Sequence, residues 1–543
     1  MTNTNQSNGF IKQAGILAIA GIICRMIGML YRSPLTAIIG DDGNGYYSSA
    51  YNIYAIILLV SSYSIPSAIS KEISLRLALK EYKNAQRVFH CAIIYVIAVG
   101  GIASLFTFFY AGLFVGKNSI IVLKVFAPTI FLSGLLGVLR GYFQAHKTML
   151  QTSISQILEQ IFNAVISILA AYLLMNSFYG SDKTSRAIYG AAGSAVGTGA
   201  GVLIALIFMW SVYLYNRKII RKRIHRDITN NLVSYKNIFI SIFQNVTPML
   251  LSTFIYNINT SLNQTIYSKI SMFVKGFNEE KIALQYGIFA GKAIIIANIP
   301  IGIASAMSSA IIPSISSSSI QGNMKETNQK IDTAIRTTML IILPSAVGLA
   351  VLSRPVVQLL FPQRTSIMPA ANLLCYLSIS VVFYSLSTLT NAVLQAIGKP
   401  NIPVINALVS LIIQTIVLII LLSCTDLNLY ALAIAAIIYS IIICLLNGIS
   451  VRKHLGYRQN IKKNYILPLA ASALMGTVAR LLYKLLFLLC SSNIISLFPS
   501  VIFSIAIYFI IIIRFKGLNE RELKTFPGGS EIIKLARKFR ILL

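Results

Sequence analysis

Charge is scarce in this chain. Only 11% of its 543 residues are charged, and the 15 acids are outnumbered by 46 Lys and Arg. A typical soluble domain is about 25% charged. With 56% hydrophobic residues and a mean hydropathy of +0.75, the chain has more apolar surface than a water-facing fold could hide. The four histidines, His90, His146, His225 and His454, form no cluster. The six cysteines, Cys24, Cys91, Cys375, Cys424, Cys444 and Cys490, lack paired ligand spacing. Metal catalysis is therefore not indicated, and the cysteines read as small buried hydrophobes. No Ser/His/Asp pattern, paired catalytic carboxylates or soluble glycosyltransferase-like stretch is evident, which weighs against an enzyme. Gly287 to Lys292 has a faint likeness to a phosphate loop, but its glycines lie too close and Ala293 stands where Ser or Thr is needed. No signal peptide is expected, because the apolar stretch from Phe10 onwards shows no convincing cleavage site.

Long apolar runs are what the chain has instead. A helix of about 20 apolar residues crosses a hydrocarbon core roughly 30 Å thick. Such runs predict spans near 10–31, 46–66, 88–114, 120–144, 150–175, 187–215, 238–262, 284–312, 332–361, 368–396, 402–424, 429–450, 465–489 and 493–514. The expected fold class is thus an all-α membrane protein of about fourteen transmembrane helices. In a soluble protein the net charge of +31 would suggest nucleic acid. Here the bases gather in the loops after even-numbered spans: Lys71 to Arg87, Arg217 to Arg226, Lys325 and Lys330, and Arg452 to Lys463. That bias predicts both termini on the cytoplasmic side and no nucleic-acid partner. The run Arg217, Lys218, Arg221, Lys222, Arg223 and Arg226 reads as a topology determinant touching anionic membrane lipids.

The two halves match at a nearly constant offset. Leu113-Phe114, Lys117 and Ser119-Ile120 recur as Leu360-Phe361, Arg364 and Ser366-Ile367. Gln144-Ala145 with Lys147 recurs as Gln395-Ala396 with Lys399, and Ile65-Pro66-Ser67 as Ile312-Pro313-Ser314. An even number of spans separates the equivalents, so two parallel six-helix lobes related by an axis along the membrane normal are expected. The predicted organisation is an N-terminal lobe at 1–216, a basic linker at 217–237, a C-terminal lobe at 238–451, two added spans at 452–514 and a basic tail at 515–543. One chain is expected to be the transport unit, working by rocking of the lobes.

Charges inside spans are the most informative residues, since each costs at least a few kcal/mol unless it faces a cavity or a partner. Arg25 and Arg32 in the first span, Glu159 in the fifth and Lys292 in the eighth stand out. They suggest a cationic cavity for an anionic headgroup, with Glu159 as counter-ion; snorkelling or ion pairing between lobes is the alternative. Gly193, Gly197 and Gly201 form a small-residue stripe that permits close helix packing.

Several of these segments resemble one family. Arg25-Met-Ile-Gly28-Met-Leu-Tyr31-Arg32-Ser-Pro34-Leu, then Ile39-Gly40 and Gly43-Asn-Gly45-Tyr46, are similar to the opening of the MurJ and stage V sporulation B-like flippases. So are Ile65 to Lys71, Leu139-Arg140-Gly141-Tyr142-Phe143-Gln144, Ser155-Gln156 with Glu159-Gln160, and Tyr286 through Pro313. The family lies in the multidrug/oligosaccharidyl-lipid/polysaccharide exporter superfamily. The resemblance implies two lobes with alternating access in a bacterial plasma membrane. It also implies translocation of an undecaprenyl-pyrophosphate-linked peptidoglycan precursor, lipid II, without a bound cofactor. Arg25 and Lys292 match family cavity cations in spans one and eight, and Arg32 is set against another with a spacing that differs by one residue. The family's span-two arginine has no counterpart, and Lys71 is the nearest cation; Gln144 is a further accessory candidate. Where some members resemble sodium-linked carriers, this chain offers Asn263, Asn406 and Ser410 without a carboxylate. Sodium or the membrane potential is then the implied energy source. Another lipid-linked oligosaccharide, of a capsule, teichoic or spore-envelope type, would use the same charges, whereas a drug exporter should favour acids for cationic drugs.

Overall fold

Cap and turn chemistry sets the helix ends in the computed structural model. It describes residues 20–515 apart from positions 22, 29, 60, 62–64, 147, 179–181, 226, 228–231 and 362–365. Among the described residues every regular element is helical. The helices are α1 (Arg32–Leu58), α2 (Ile65–Ala78), α3 (Tyr82–Phe109), α4 (Lys117–Ala145), α5 (Met149–Ser177), α6 (Lys183–His225) and α7 (Tyr235–Phe273). They continue as α8 (Glu279–Ser308), α9 (Met324–Val351), α10 (Ile367–Ala396), α11 (Asn401–Cys424), α12 (Leu429–Leu455), α13 (Lys462–Cys490) and α14 (Asn493–Arg514). Eleven described helices, α3 to α6 and α8 to α14, are long and apolar enough to cross a membrane, and each coincides with an expected span. The other three expected spans fall on α7, on α1 with α2, and on residues 10–31, whose first part lies outside the described residues. Residues 516–543 of the expected basic tail, with Arg226, Lys147 and Arg364, lie outside them too.

Helix starts carry the expected caps. Asn278 Oδ1 accepts from the Lys281 N–H at 3.0 Å ahead of α8, with Glu279 and Glu280 in the first turn where the helix dipole favours acids. Asn323 and Glu326 form a reciprocal box at α9, with Glu326 N donating to Asn323 Oδ1 at 3.1 Å and Asn323 Nδ2 donating to Glu326 Oε2 at 2.9 Å. The first span does not stop at residue 31. Tyr31 donates to Ile27 O and Leu35 to Tyr31 O, both at 3.1 Å, so helix runs through Arg32 for two more turns. A kink comes at Gly40, whose φ of +73° suits glycine. The basic run up to His225 likewise continues α6, a 43-residue helix roughly 65 Å long, twice the thickness of a hydrocarbon core.

The chain divides into two compact units, Met1–Gly291 and Lys292–Leu543, and the division falls inside α8 at a π-helical turn, Phe289–Ala293. In the first unit the glycine stripe does what its spacing suggested. A Cβ at Gly193 would run into the Ala170 backbone, at Gly197 into Ser167, and at Gly201 into Glu159 O, so α5 and α6 touch backbone to backbone. Gly45 lets α1 meet α8 at Ala283 in the same way. Asn52 of α1 donates to Gln264 Oε1 of α7 at 2.5 Å and to the Tyr286 hydroxyl of α8 at 2.8 Å. In the second unit, α13 and α14 are fastened to α9. Tyr508 OH donates to Leu340 O at 2.9 Å, and Asp332 accepts from Tyr457 OH at 2.7 Å and Asn464 Nδ2 at 2.8 Å. A short helix precedes each of the two spans whose sequences match, Ala111–Phe114 before α4 and Ser353–Leu360 before α10.

Candidate functional site

The close α5–α6 packing turns one face of α5 inward. Gln156, Glu159, Gln160 and Asn163, at helical spacings of three, four and seven, line a cavity of about 870 Å³ in the first unit. Arg25 and Arg32 are seven residues apart, a spacing that puts helical side chains on one face, and both border the same space. The Arg32 guanidinium lies 4.9 Å from the Tyr47 ring centre and 5.8 Å from that of Tyr31. Such cation–π contacts hold a guanidinium in place at about 0.5–2 kcal/mol each without neutralising it. Tyr47, Tyr51 and Tyr54 follow one another along α1, with Tyr47 and Tyr51 stacked at 5.8 Å and Tyr54 stacked on Phe126 at 4.7 Å. The wall is thus rigid and aromatic on one side and rich in amides on the other.

A third arginine completes the site. Arg140 of α4 donates from Nη2 to Glu159 Oε2 at 2.7 Å and from Nε to Ser155 Oγ at 2.9 Å. Both side chains of the pair remain partly exposed to the cavity, at 15% and 22%. Three guanidinium groups and one carboxylate leave two net positive charges in the cavity wall. Asn163 is fixed as an acceptor, taking Ser167 Oγ at 3.0 Å and Thr198 Oγ1 at 3.3 Å. Low-dielectric surroundings strengthen the pull of such a site on an anion, and guanidinium groups match phosphate oxygens in fork geometry.

Of the residues singled out in the sequence, Arg25, Arg32, Glu159 and Gln144 come together here. Lys71 is exposed on α2 and does not line this cavity. Lys292 belongs to the second unit, where it is buried in the π turn of α8. There its Nζ donates to Ser366 Oγ at 2.5 Å and sits 5.7 Å from the Phe361 ring centre. Asn263, in the first unit, donates to Asn259 Oδ1 at 3.0 Å. Asn406, in the second, donates to Asn447 Oδ1 at 2.8 Å and Ser450 Oγ at 3.2 Å, and Ser410 donates to Asn406 O at 2.7 Å. Arg140 was not among the singled-out charges, although it stands in the Leu139 to Gln144 segment. The signal that would have found it is complementary charge in two consecutive spans, Arg140 in the fourth and Glu159 in the fifth. Arg336, buried in α9, is another charge within a span.

A protein-family model described as Lipid II flippase MurJ matches residues 80–498. The chain belongs to the lipid II flippase MurJ family. It is 25% identical over 496 residues to the lipid II flippase MurJ of Bacillus subtilis (strain 168), covering 88% of this chain and 88% of that protein. Stage V sporulation protein B of the same organism is 25% identical over 534 residues, covering 96% and 99%. The fold is similar to that of a lipid II flippase MurJ in an inward closed conformation, with a TM-score of 0.66 and 18% identity over 92% of this chain and 98% of that one. An inward-facing multidrug resistance MATE family transporter of the MOP superfamily matches with a TM-score of 0.62 and 16% identity over 81% and 98%. The chain is a multi-pass membrane protein whose fold is similar to those two structures, and the MurJ family assignment agrees with the resemblance read from its motifs.

Proposed function

We propose that this protein moves an undecaprenyl-pyrophosphate-linked glycan, in the first instance lipid II, from the inner to the outer leaflet of a bacterial plasma membrane by alternating access. The observation that carries the reading is the charge of the first-unit cavity. Arg25, Arg32 and Arg140 less Glu159 leave two positive charges, the complement of a pyrophosphate diester with one negative charge on each phosphate. Polar amides and tyrosines around them suit the hydroxyl and amide groups of a glycan, while the apolar spans suit a polyprenyl tail that stays in lipid.

Arg25, Arg32 and Lys292 are the proposed substrate-binding cations, with Lys71, Gln144 and Glu159 as accessory residues. The lobes at 1–216 and 238–451, joined by the basic segment 217–237 and followed by two added spans, are the proposed moving parts of a monomeric transporter with both termini cytoplasmic. Membrane potential acting on the cavity cations is the proposed driving force, and sodium at the neutral oxygens of Asn263, Asn406 and Ser410 is the alternative. Similarity to Stage V sporulation protein B over 96% of the chain supports a second reading, in which the cargo is a different lipid-linked glycan.

Growth rescue of a bacterium depleted of its own lipid II flippase tests both. Rescue by the intact chain, lost with Arg25→Ala plus Arg32→Ala and reduced with Lys292→Ala, supports lipid II transport. Failure of the intact chain to rescue, with the protein verified in the membrane, sinks the lipid II reading in favour of another glycan. Rescue that survives loss of the cavity arginines sinks the cationic-cavity mechanism.

A further inference from the structure

A second cavity of the first unit, about 210 Å³, opens where α2, α3, α4, α5 and α6 end or begin on one side, and it shares no lining residue with the cavity above. Its depth in the bilayer can be read along α6. Trp210 and Tyr215 are 46% and 86% exposed, the pattern of an aromatic belt at a membrane–water boundary. The α6 residues that wall the pocket, from Asn216 to Ile224, follow within the next few turns. The pocket therefore lies at the level of lipid headgroups.

Its chemistry is mixed in a particular way. The exposed Arg223 of α6 supplies a guanidinium, and His146, held through Nδ1 at 2.9 Å from Tyr142 O, stands beside it. Gln151 of α5 brings a buried Oε1 that has no hydrogen-bond partner. A buried acceptor left unpaired is rare and calls for a donor. Gln86, Thr148 and Asn216 add further polar groups, while Leu77, Phe143 and Ile220 give the wall an apolar stretch. A simple anion would have no use for that surface.

We propose that this pocket is a structural site for an anionic glycerophospholipid of the adjacent leaflet, of the phosphatidylglycerol type. The phosphate faces Arg223, the Gln151 carboxamide rotates out of its buried setting to accept a headgroup hydroxyl on Oε1, and the glycerol backbone and first acyl carbons lie on Leu77, Phe143 and Ile220. A lipid seated there joins the end of α4 and the start of α5 to the basic extension of α6. The site is distinct from the transport cavity, and its occupancy does not depend on which glycan is carried.

The test uses the full-length protein purified in detergent, offered phosphatidylglycerol or phosphatidylcholine, with retained lipid counted by mass spectrometry of the intact protein. The expected result is selective retention of phosphatidylglycerol, weakened about tenfold by Arg223→Gln and by Gln151→Leu, the scale of one charge-assisted hydrogen bond. Arg221→Gln, exposed on the same helix but outside the pocket, should change retention less than about twofold if the site is specific rather than a diffuse basic surface. Three results would overturn the proposal: equal retention of phosphatidylcholine, equal loss from Arg221→Gln and Arg223→Gln, or displacement of the lipid by excess inorganic phosphate, which would mark a free-phosphate site. Because Arg223 is exposed, its variant tests the idea even if Gln151→Leu fails to fold.

Discussion

Replacing Glu159 by alanine leaves Arg140 facing the cavity with only Ser155 of its two described partners, and the consequence can be sized from the geometry. The pair is short, at 2.7 Å, and its side chains are 15% and 22% exposed. Fully exposed pairs contribute about 0–1 kcal/mol. Removing one member of a fully buried pair costs about 3–5 kcal/mol. Partial hydration and the remaining bond from Arg140 Nε to Ser155 Oγ put Glu159→Ala between these limits, at about 2 kcal/mol. Arg140→Ala should cost a similar amount, because Glu159 is then the charge left without its partner. The double variant should cost less than the sum, with a coupling energy of about 1–2 kcal/mol. Thermal unfolding of the four proteins in one detergent, as a double-mutant cycle, measures that coupling. Additivity within about 0.5 kcal/mol would refute the claim that the pair holds α4 to α5. The same variants separate structure from transport. Glu159→Gln raises the net cavity charge by one and should tighten binding of a soluble pyrophosphate diester, whereas Arg140→Gln should weaken it.

Four further outcomes are expected. Gly193→Val places side-chain atoms in the Ala170 backbone and should prevent stable insertion, judged by a monodisperse peak in size exclusion, while Gly448→Ala, with open space at its Cβ, should be neutral or stabilise by about 0.5–1 kcal/mol. Asn447→Leu removes both the acceptor for Asn406 Nδ2 and the donor to Asn391 Oδ1, at 2.8 and 2.6 Å, and should lower stability by about 2–4 kcal/mol in thermal unfolding. Burial holds the His146 imidazole below its usual value near 6.5. A depressed folded value means the unfolded chain binds the proton first, so this contribution is present above about pH 6.5 and fades as pH falls through the folded value; a pH series of melting temperatures between 7.5 and 5 should therefore slope less steeply in His146→Gln, on the order of one degree or more.

Much of this architecture was legible in the residues because transfer into lipid is a local property. Whether twenty residues can enter a bilayer depends on those residues alone, so hydropathy located the eleven described spans. Glycines every fourth residue in α6 announced a close contact for the same reason, since a missing side chain permits approach whatever the partner is. Arg25, Arg32 and Glu159 were legible as costly charges within apolar runs. Their arrangement was not. The pairing of Arg140 with Glu159 rests on the rotation of two helices about their axes, and the seat of Arg32 over Tyr47 on how α1 continues beyond Tyr31 to Gly40. The placing of Lys292 beside Ser366, and the engagement of Asn406 by Asn447, join residues 74 and 41 positions apart. Hydrophobic pattern by itself therefore determined that this chain is a bundle of membrane helices with buried charge, while only tertiary packing, through helix rotation and close approach, decided which charges share a cavity and which are held by neighbours.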